Sequence, residues 1–282
     1  MGTEQLGAIE RVLKEIEHLP TLPQVITKIL AMTESQDVNA VHLAKAMDQS
    51  LTAKVLKVAN SAYYGSRTAR QVNSVHHAIV MIGFDAVKEI ILTTSFFHTF
   101  RGTQEVKTLL PLWKHSLEGA FAAKRLAWVF RYEAMDEAYL VGLIHDIGKL
   151  IIQQYFPEQY QAIYGKLNGS EVLQAEKDLL GITHAGIGGK MAQHWNFPES
   201  LCEAISYHHE GRFKLNPRLG TLLCAANAYV SGSLDFPGLI QFCVKAGMSY
   251  PGQWKDEDLE RVKGILQEEI GKASNMLDIS NA

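Results

Sequence analysis

Cysteine is scarce in this chain. Cys202, Cys224 and Cys243 are the only three in 282 residues, odd in number and without CxxC spacing. That pattern points to reduced thiols in a cytoplasm rather than a disulfide framework, with the three acting as small core residues. An excess of positive charge is also missing. Twenty-seven Lys and Arg against thirty Asp and Glu give a net charge of −3, and no localised basic patch offsets it. Neither nucleic acid nor a membrane surface is therefore expected as a partner. Long apolar runs are absent too: Ala138 to Ile144 is among the longest, far short of the roughly 20 residues that span a bilayer. The N-terminus meets acidic residues at once and lacks the basic-then-apolar order of a secretory signal. Leu6 stands where a myristoylation motif wants Ser or Thr.

Strand-like alternation bounded by turn residues is nearly absent, and no internal repeat or low-complexity segment occurs. What remains is period-3.6 patterning along most of the chain, so the fold class is all-α. Hydrophobic residues make up 47% and charged residues 20%, enough for one large domain or two lobes.

Three segments are expected: an N-terminal helical lobe over 1–105, a second helical lobe over 106–232, and a helical tail over 233–282. In the first, LPTLPQVITKILAMTE places prolines at a helix entrance, with Val25, Ile29 and Met32 on one face. Two short helices follow in DVNAVHLAKAMDQSLTAKVLKVANSAYYG, one with Val41, Ala44 and Met47 on a face, the other with Leu51, Val55 and Val58. They superficially resemble a DNA-binding pair, but little positive charge surrounds them and core packing is the better reading. The polar stretch RGTQEVK, Arg101 to Lys107, marks the lobe boundary.

The second lobe reads as helices over Trp113 to Phe130, Asp136 to Gln154, Ser170 to Leu179, His184 to His194 and Pro198 to His209. RFKLNPRLG then reads as a loop and GTLLCAANAYVSG as a helix of small residues. In the tail, Leu259, Val262, Leu266, Ile270, Ala273 and Leu277 form one stripe.

Candidate chemistry concentrates in the second lobe, in His115, His145, Asp146, His184, His208 and His209. Imidazole and carboxylate suit a divalent transition metal. LVGLIHDIGKLII sets His145 and Asp146 side by side, about 100° apart on one helix, which Asp136 opens as a cap and Glu137 as a first-turn acid. Gly142 leaves room for a helix or ligand to approach. Lys149 lies on the same side as the pair, placed to meet an anionic oxygen. Each residue also has a plain structural reading: a lone helical histidine is usually packed in the core, as expected for His194, and a lone Lys149 would be a snorkelling surface residue. The run AGIGGK, Ala185 to Lys190, lacks a preceding strand and the spacing of a phosphate loop, so its glycines are read as permitting close helix contact.

The order His115, HDIGK at His145 to Lys149, His184, and HHE at His208 to Glu210 resembles the HD superfamily of metal-dependent phosphohydrolases. It is most similar to the HDOD branch, the HD-related output domain of bacterial signalling proteins. LPTLPQV, DQSLTAKVLKVANSAYYG, IGFDAVKEIIL and HWNFPESLCEAISYHH carry the resemblance, from about Leu19 to Gly232. It implies a helical lobe packed on an HD-like bundle, with His115, His145, Asp146, His184, His208 and His209 as ligands to one or two ions of iron, manganese or zinc. It also implies a bridging role for Asp146 and phosphate contact for Lys149, both catalytic only if the site is active.

Catalytic relatives such as the HD-GYP cyclic dinucleotide phosphodiesterases carry an Asp where this chain has Asn227, a weak neutral ligand. They also carry a Gly-Tyr-Pro element where this chain runs HHEGRFKLNPRLG. These departures, with the family's usual loss of catalysis, point to a signalling module of the bacterial cytoplasm with a protein partner. The alternative is a metal-dependent phosphohydrolase acting on a nucleotide or cyclic dinucleotide, either of which is also a candidate ligand.

Overall fold

The structure is a computed structural model. It describes residues 24–33, 47–61, 71–99, 106–167, 169–252 and 254–281, with 14, 43 and 45 besides. Every regular element among the described residues is an α-helix. The chain divides into two compact units, residues 22–117 with 267–282, and residues 1–21 with 118–266.

In the first unit, α1 (Gln24–Thr33), α2 (Gln49–Ala59) and α3 (Val75–Ile82) each pack on α4 (Phe84–Thr99). Val25, Ile26 and Ile29 of α1 are buried, as are Val55 and Val58 of α2. The expected stripes reach the core by these residues, while the Met32 side chain and most of the helix expected around Val41 and Ala44 lie outside the described residues. So do the prolines of LPTLPQV and most of RGTQEVK. Asp48 caps α2, accepting the Leu51 N–H at 2.7 Å. Asn60 ends it and ties down the next segment: its side-chain amide donates to the Val72 carbonyl and accepts from the Val72 N–H, both at 2.7 Å. Phe97 stacks on Trp113 at 4.7 Å, on α5 (Val106–Val129), a helix that runs on into the second unit.

The second unit continues with α6 (Met135–Ile144), α7 (Ile147–Tyr155), α8 (Pro157–Tyr164), α9 (Ser170–Leu180), α10 (His184–His194), α11 (Glu199–Ser206), α12 (Pro217–Val230) and α13 (Phe236–Lys245). The last helix is α14 (Asp256–Asn281). α10 packs on both α7 and α11, and α6 packs on α11 and α12. From Ala138 to Ile144 every residue of α6 is buried, so it has no solvent face and shows no amphipathic stripe. Each large apolar side chain withdrawn there stabilises the fold by about 1.5–3 kcal/mol. Along α14, Val262, Leu266, Ala273 and Leu277 are buried, and Leu259 and Ile270 are half-buried.

Five sequence expectations are corrected. The helix expected over Asp136 to Gln154 is two helices, α6 and α7, separated by His145 and Asp146. Asp136 is not a cap: Ala134 holds that position without a side-chain hydrogen bond, and both Asp136 and Glu137 fall in the first turn. α11 stops at Ser206, leaving His208 and His209 on the turn beyond it. The supposed loop RFKLNPRLG already contains the start of α12, where Asn216 caps and Pro217 takes the first helical position. His194, expected in the core, is exposed at the end of α10.

Candidate metal centre

The centre forms where the apolar run of LVGLIHDIGKLII breaks. His145 keeps helical dihedrals, but Asp146 turns to φ −97°, ψ 12°. Asp146 takes the capping position of α7, yet its carboxylate caps none of that helix's N–H groups. It is 1% exposed and reaches sideways instead. Oδ2 accepts from Lys149 Nζ at 2.6 Å and lies 3.5 Å from His145 Nε2. Oδ1 lies 3.2 Å from His184 Nε2 and 3.8 Å from His208 Nε2.

Glycines bring these segments together. A Cβ on Gly142 would lie 2.6 Å from the Ala120 Cα of α5, so the room expected at Gly142 is taken by a helix. A Cβ on Gly148 would overlap the His184 carbonyl, and one on Gly189 would overlap Ser206. Of the AGIGGK glycines, Gly188 and Gly189 thus serve close contact of α10 with α11, as the sequence reading holds, while Gly186 faces Ile182.

Three imidazoles are fixed through one nitrogen and present the other. His145 Nδ1 donates to the Gly142 carbonyl at 2.8 Å, and His208 Nδ1 donates to the Ile205 carbonyl at 2.7 Å. His184 Nδ1 donates to Glu176, 2.7 Å from Oε1 and 2.9 Å from Oε2. In each ring the remaining Nε2 faces Asp146. His209, exposed, brings its own Nε2 to 3.0 Å from that of His184. Ligand atoms from Asp146, His184, His208 and His209 all lie within 4.8 Å of one another.

Electrostatics explain why this cluster asks for a cation. Burial, reinforced by His145, His209 and His184, holds the His208 pKa well below its ordinary value. The ring is therefore neutral, and with its proton on Nδ1 the Nε2 atom carries a bare lone pair. That atom is buried with no hydrogen-bond partner, and the nearby oxygen belongs to a carboxylate. Burial acts to raise the Asp146 pKa, but Lys149, His145 and His184 outweigh it and hold the group well below the ordinary range. Two electron-rich atoms then face each other in the interior, an arrangement that a metal ion reconciles. The donor set of imidazoles and one carboxylate fits a divalent transition metal.

Glu176 is the residue sequence reasoning missed. It is fully buried on α9, accepts both the ring and backbone N–H of His184, and also accepts the Tyr164 hydroxyl proton. A carboxylate behind a histidine fixes tautomer and ring orientation and raises the basicity of the metal-facing nitrogen. Asn227 is buried on α12, where Ser231 Oγ lies 3.3 Å from its Oδ1. One turn earlier on α12, the Cys224 thiol donates to the His208 carbonyl at 2.9 Å. His115 is half-buried on α5, in the other unit.

The HDOD domain matches residues 19–211, and the chain belongs to the HDOD domain family. A protein of Treponema pallidum (strain Nichols), uncharacterized, is 23% identical over 210 residues, 70% of this chain and 39% of that protein. The chain thus spans well under half the length of that relative. An HDOD domain protein from Geobacter sulfurreducens aligns with a TM-score of 0.76 at 23% identity, over 97% of this chain and 98% of that one. A candidate signal transduction protein from Marinobacter aquaeolei VT8 aligns with a TM-score of 0.67 at 22% identity, over 98% of this chain and 63% of that one. At these identities the likeness establishes the fold. Among the described residues no helix is long and apolar enough to cross a membrane.

Proposed function

We propose that this chain is a signal-transduction module whose histidine-rich centre holds one divalent transition metal without turning over a phosphodiester. The observation that carries the metal reading is the Nε2 of His208, neutral, buried and without a hydrogen-bond partner, 3.8 Å from the Asp146 carboxylate. Asp146, His184, His208 and His209 would hold the ion, of iron, manganese or zinc, with His145 beside the Asp146 carboxylate; the ion would supply a Lewis-acid centre for an anionic ligand.

Charge supports a single ion. With the imidazoles neutral to take an ion, Asp146 and Glu176 oppose Lys149 alone, and Asn227 brings no charge where catalytic relatives carry an acid. A second divalent ion would leave the buried centre strongly positive. Lys149 is also held at 2.6 Å by Asp146, so its charge is spent inside the centre. The signalling role agrees with the family and with the name of the Marinobacter aquaeolei relative.

The test is an assay of metal-loaded protein against nucleotides and cyclic dinucleotides, with iron, manganese and zinc each added in turn. Metal binding without turnover is expected. Robust hydrolysis abolished by Asp146→Ala would replace this reading with the phosphohydrolase one.

A further inference from the structure

The face of the second unit formed by α13 and α14 carries a groove of about 630 Å³. Phe236, Ile240 and Val244 recur every four residues along α13 and line one wall, while Leu259 of α14 and Tyr250 line the other. Phe236 and Ile240 are buried at its floor, and Val244 stands 45% exposed at its lip. Tyr250 continues the apolar surface outward: its ring lies 6.0 Å from Trp254, which lies 5.6 Å from Trp128. Trp128 is 47% exposed. Aromatic side chains grouped beside an apolar depression are the composition of a binding hot spot.

The rim has one sign of charge. Asp235, Asp256 and Glu260 line the groove, and among the described residues no Lys, Arg or His does. Asp235 caps α13 through Oδ1, and Glu260 meets Lys263 at 3.2 Å on the surface, an exposed pair held weakly enough for an incoming cation to compete for the carboxylate. A second copy presenting the same face would set these carboxylates against themselves. A neutral apolar partner would desolvate them unpaired. Anionic lipid and nucleic acid would be repelled. A furrow between two helices takes a third helix by its apolar stripe.

We infer that this groove docks an amphipathic helix of a partner protein, with apolar residues at i and i+4 flanked by Lys or Arg. The inference deepens the signalling reading by giving the partner's chemistry, and it is independent of the metal centre.

The probe is a synthetic helical peptide of about 18 residues, with Leu on one stripe and Lys on its flanks. A second peptide keeps the Leu stripe and carries Glu on the flanks. Binding to the full chain is read by tryptophan fluorescence. The Lys peptide is expected to bind at least about tenfold more tightly than the Glu peptide and to weaken as salt rises. E260K, and E260K with D256K, should lower its affinity stepwise and raise that of the Glu peptide, while V244D should weaken both. All three positions are exposed, and unchanged metal content and circular dichroism would show the fold and centre intact. Equal binding of the two peptides, or indifference to E260K and D256K, would overturn the inference. So would a dimer in sedimentation that V244D dissolves, which would make the occupant a second copy.

Discussion

Glu176 grips His184 at two points, taking its ring Nδ1–H at 2.7 Å and its backbone N–H at 2.8 Å. One carboxylate thereby satisfies an orphan donor in the first turn of α10 and fixes the tautomer of the ring that the turn carries. Burial would raise the Glu176 pKa, but hydrogen bonds from His184 and Tyr164 outweigh it and lower it, so the clamp is ionised.

Removing that charge while keeping the shape should weaken the centre without unfolding it. Glu176→Gln is expected to lower metal affinity by about 10–100-fold, and Tyr164→Phe by less, because Tyr164 steadies the carboxylate alone. Isothermal titration with zinc or manganese measures both, with circular dichroism as the control for folding. Unchanged affinity in Glu176→Gln would show that the clamp is structural only.

Packing at the helix break gives a pair of glycine predictions with opposite signs. Gly148→Ala would force a methyl into the His184 carbonyl and is expected to cost about 1–3 kcal/mol together with metal occupancy. Gly264, inside α14, has open space around it, so Gly264→Ala should stabilise by about 0.5–1 kcal/mol. Urea denaturation of the two variants reads the difference directly.

Proton competition sets the pH dependence of metal binding. Burial, with His184 adding to it, lowers the His209 pKa to about 4, and His208 is also depressed. Both rings are bare at neutral pH. For His184, burial and Lys149 press the pKa down, but bonds to Asp146 and Glu176 prevail and raise it. The proton an entering ion must displace is therefore that of His184, so affinity should already be falling before pH drops to the ordinary imidazole value of about 6.5. It should fall more steeply towards pH 4, as His209 begins to charge. Titrations at several pH values check this, and a flat profile would exclude the histidines as ligands.

The thiols give a simple probe of the second unit. Burial pushes Cys224 and Cys243 up to about 12, so at pH 8 only about one thiol in ten thousand is ionised. Alkylation by iodoacetamide should be slow in the folded chain and fast in urea. Rapid stoichiometric labelling of the folded protein would contradict the packing described around α12 and α13.

The sequence makes the helices readable where a local signal ends them. Thr183 caps α10 by accepting the Gly186 N–H at 3.1 Å, and the helix spans His184–His194 as its pattern suggests. The break at His145 and Asp146 is hidden because apolar residues continue on both sides with no proline or turn signal. Asn216 and Pro217 did announce the start of α12, a capping signal outweighed by the polar run before it. Glu176 was invisible for a different reason. On a helix reading SEVLQAEKDLL an acid looks solvated, and only the packing of α8 on α9 and the clamp on His184 reveal it as buried. The candidate ligand residues are named by the sequence; the atoms they present, and the carboxylate behind them, depend on tertiary structure.

The central claim is that Asp146 and the imidazoles around it hold a metal ion. Elemental analysis of protein purified without chelator, beside Asp146→Asn prepared identically, tests it most directly. The account predicts close to one iron, manganese or zinc per chain in the parent and a large loss in the variant. Parent protein that is folded yet takes up no divalent metal on titration at pH 7.5 would contradict it.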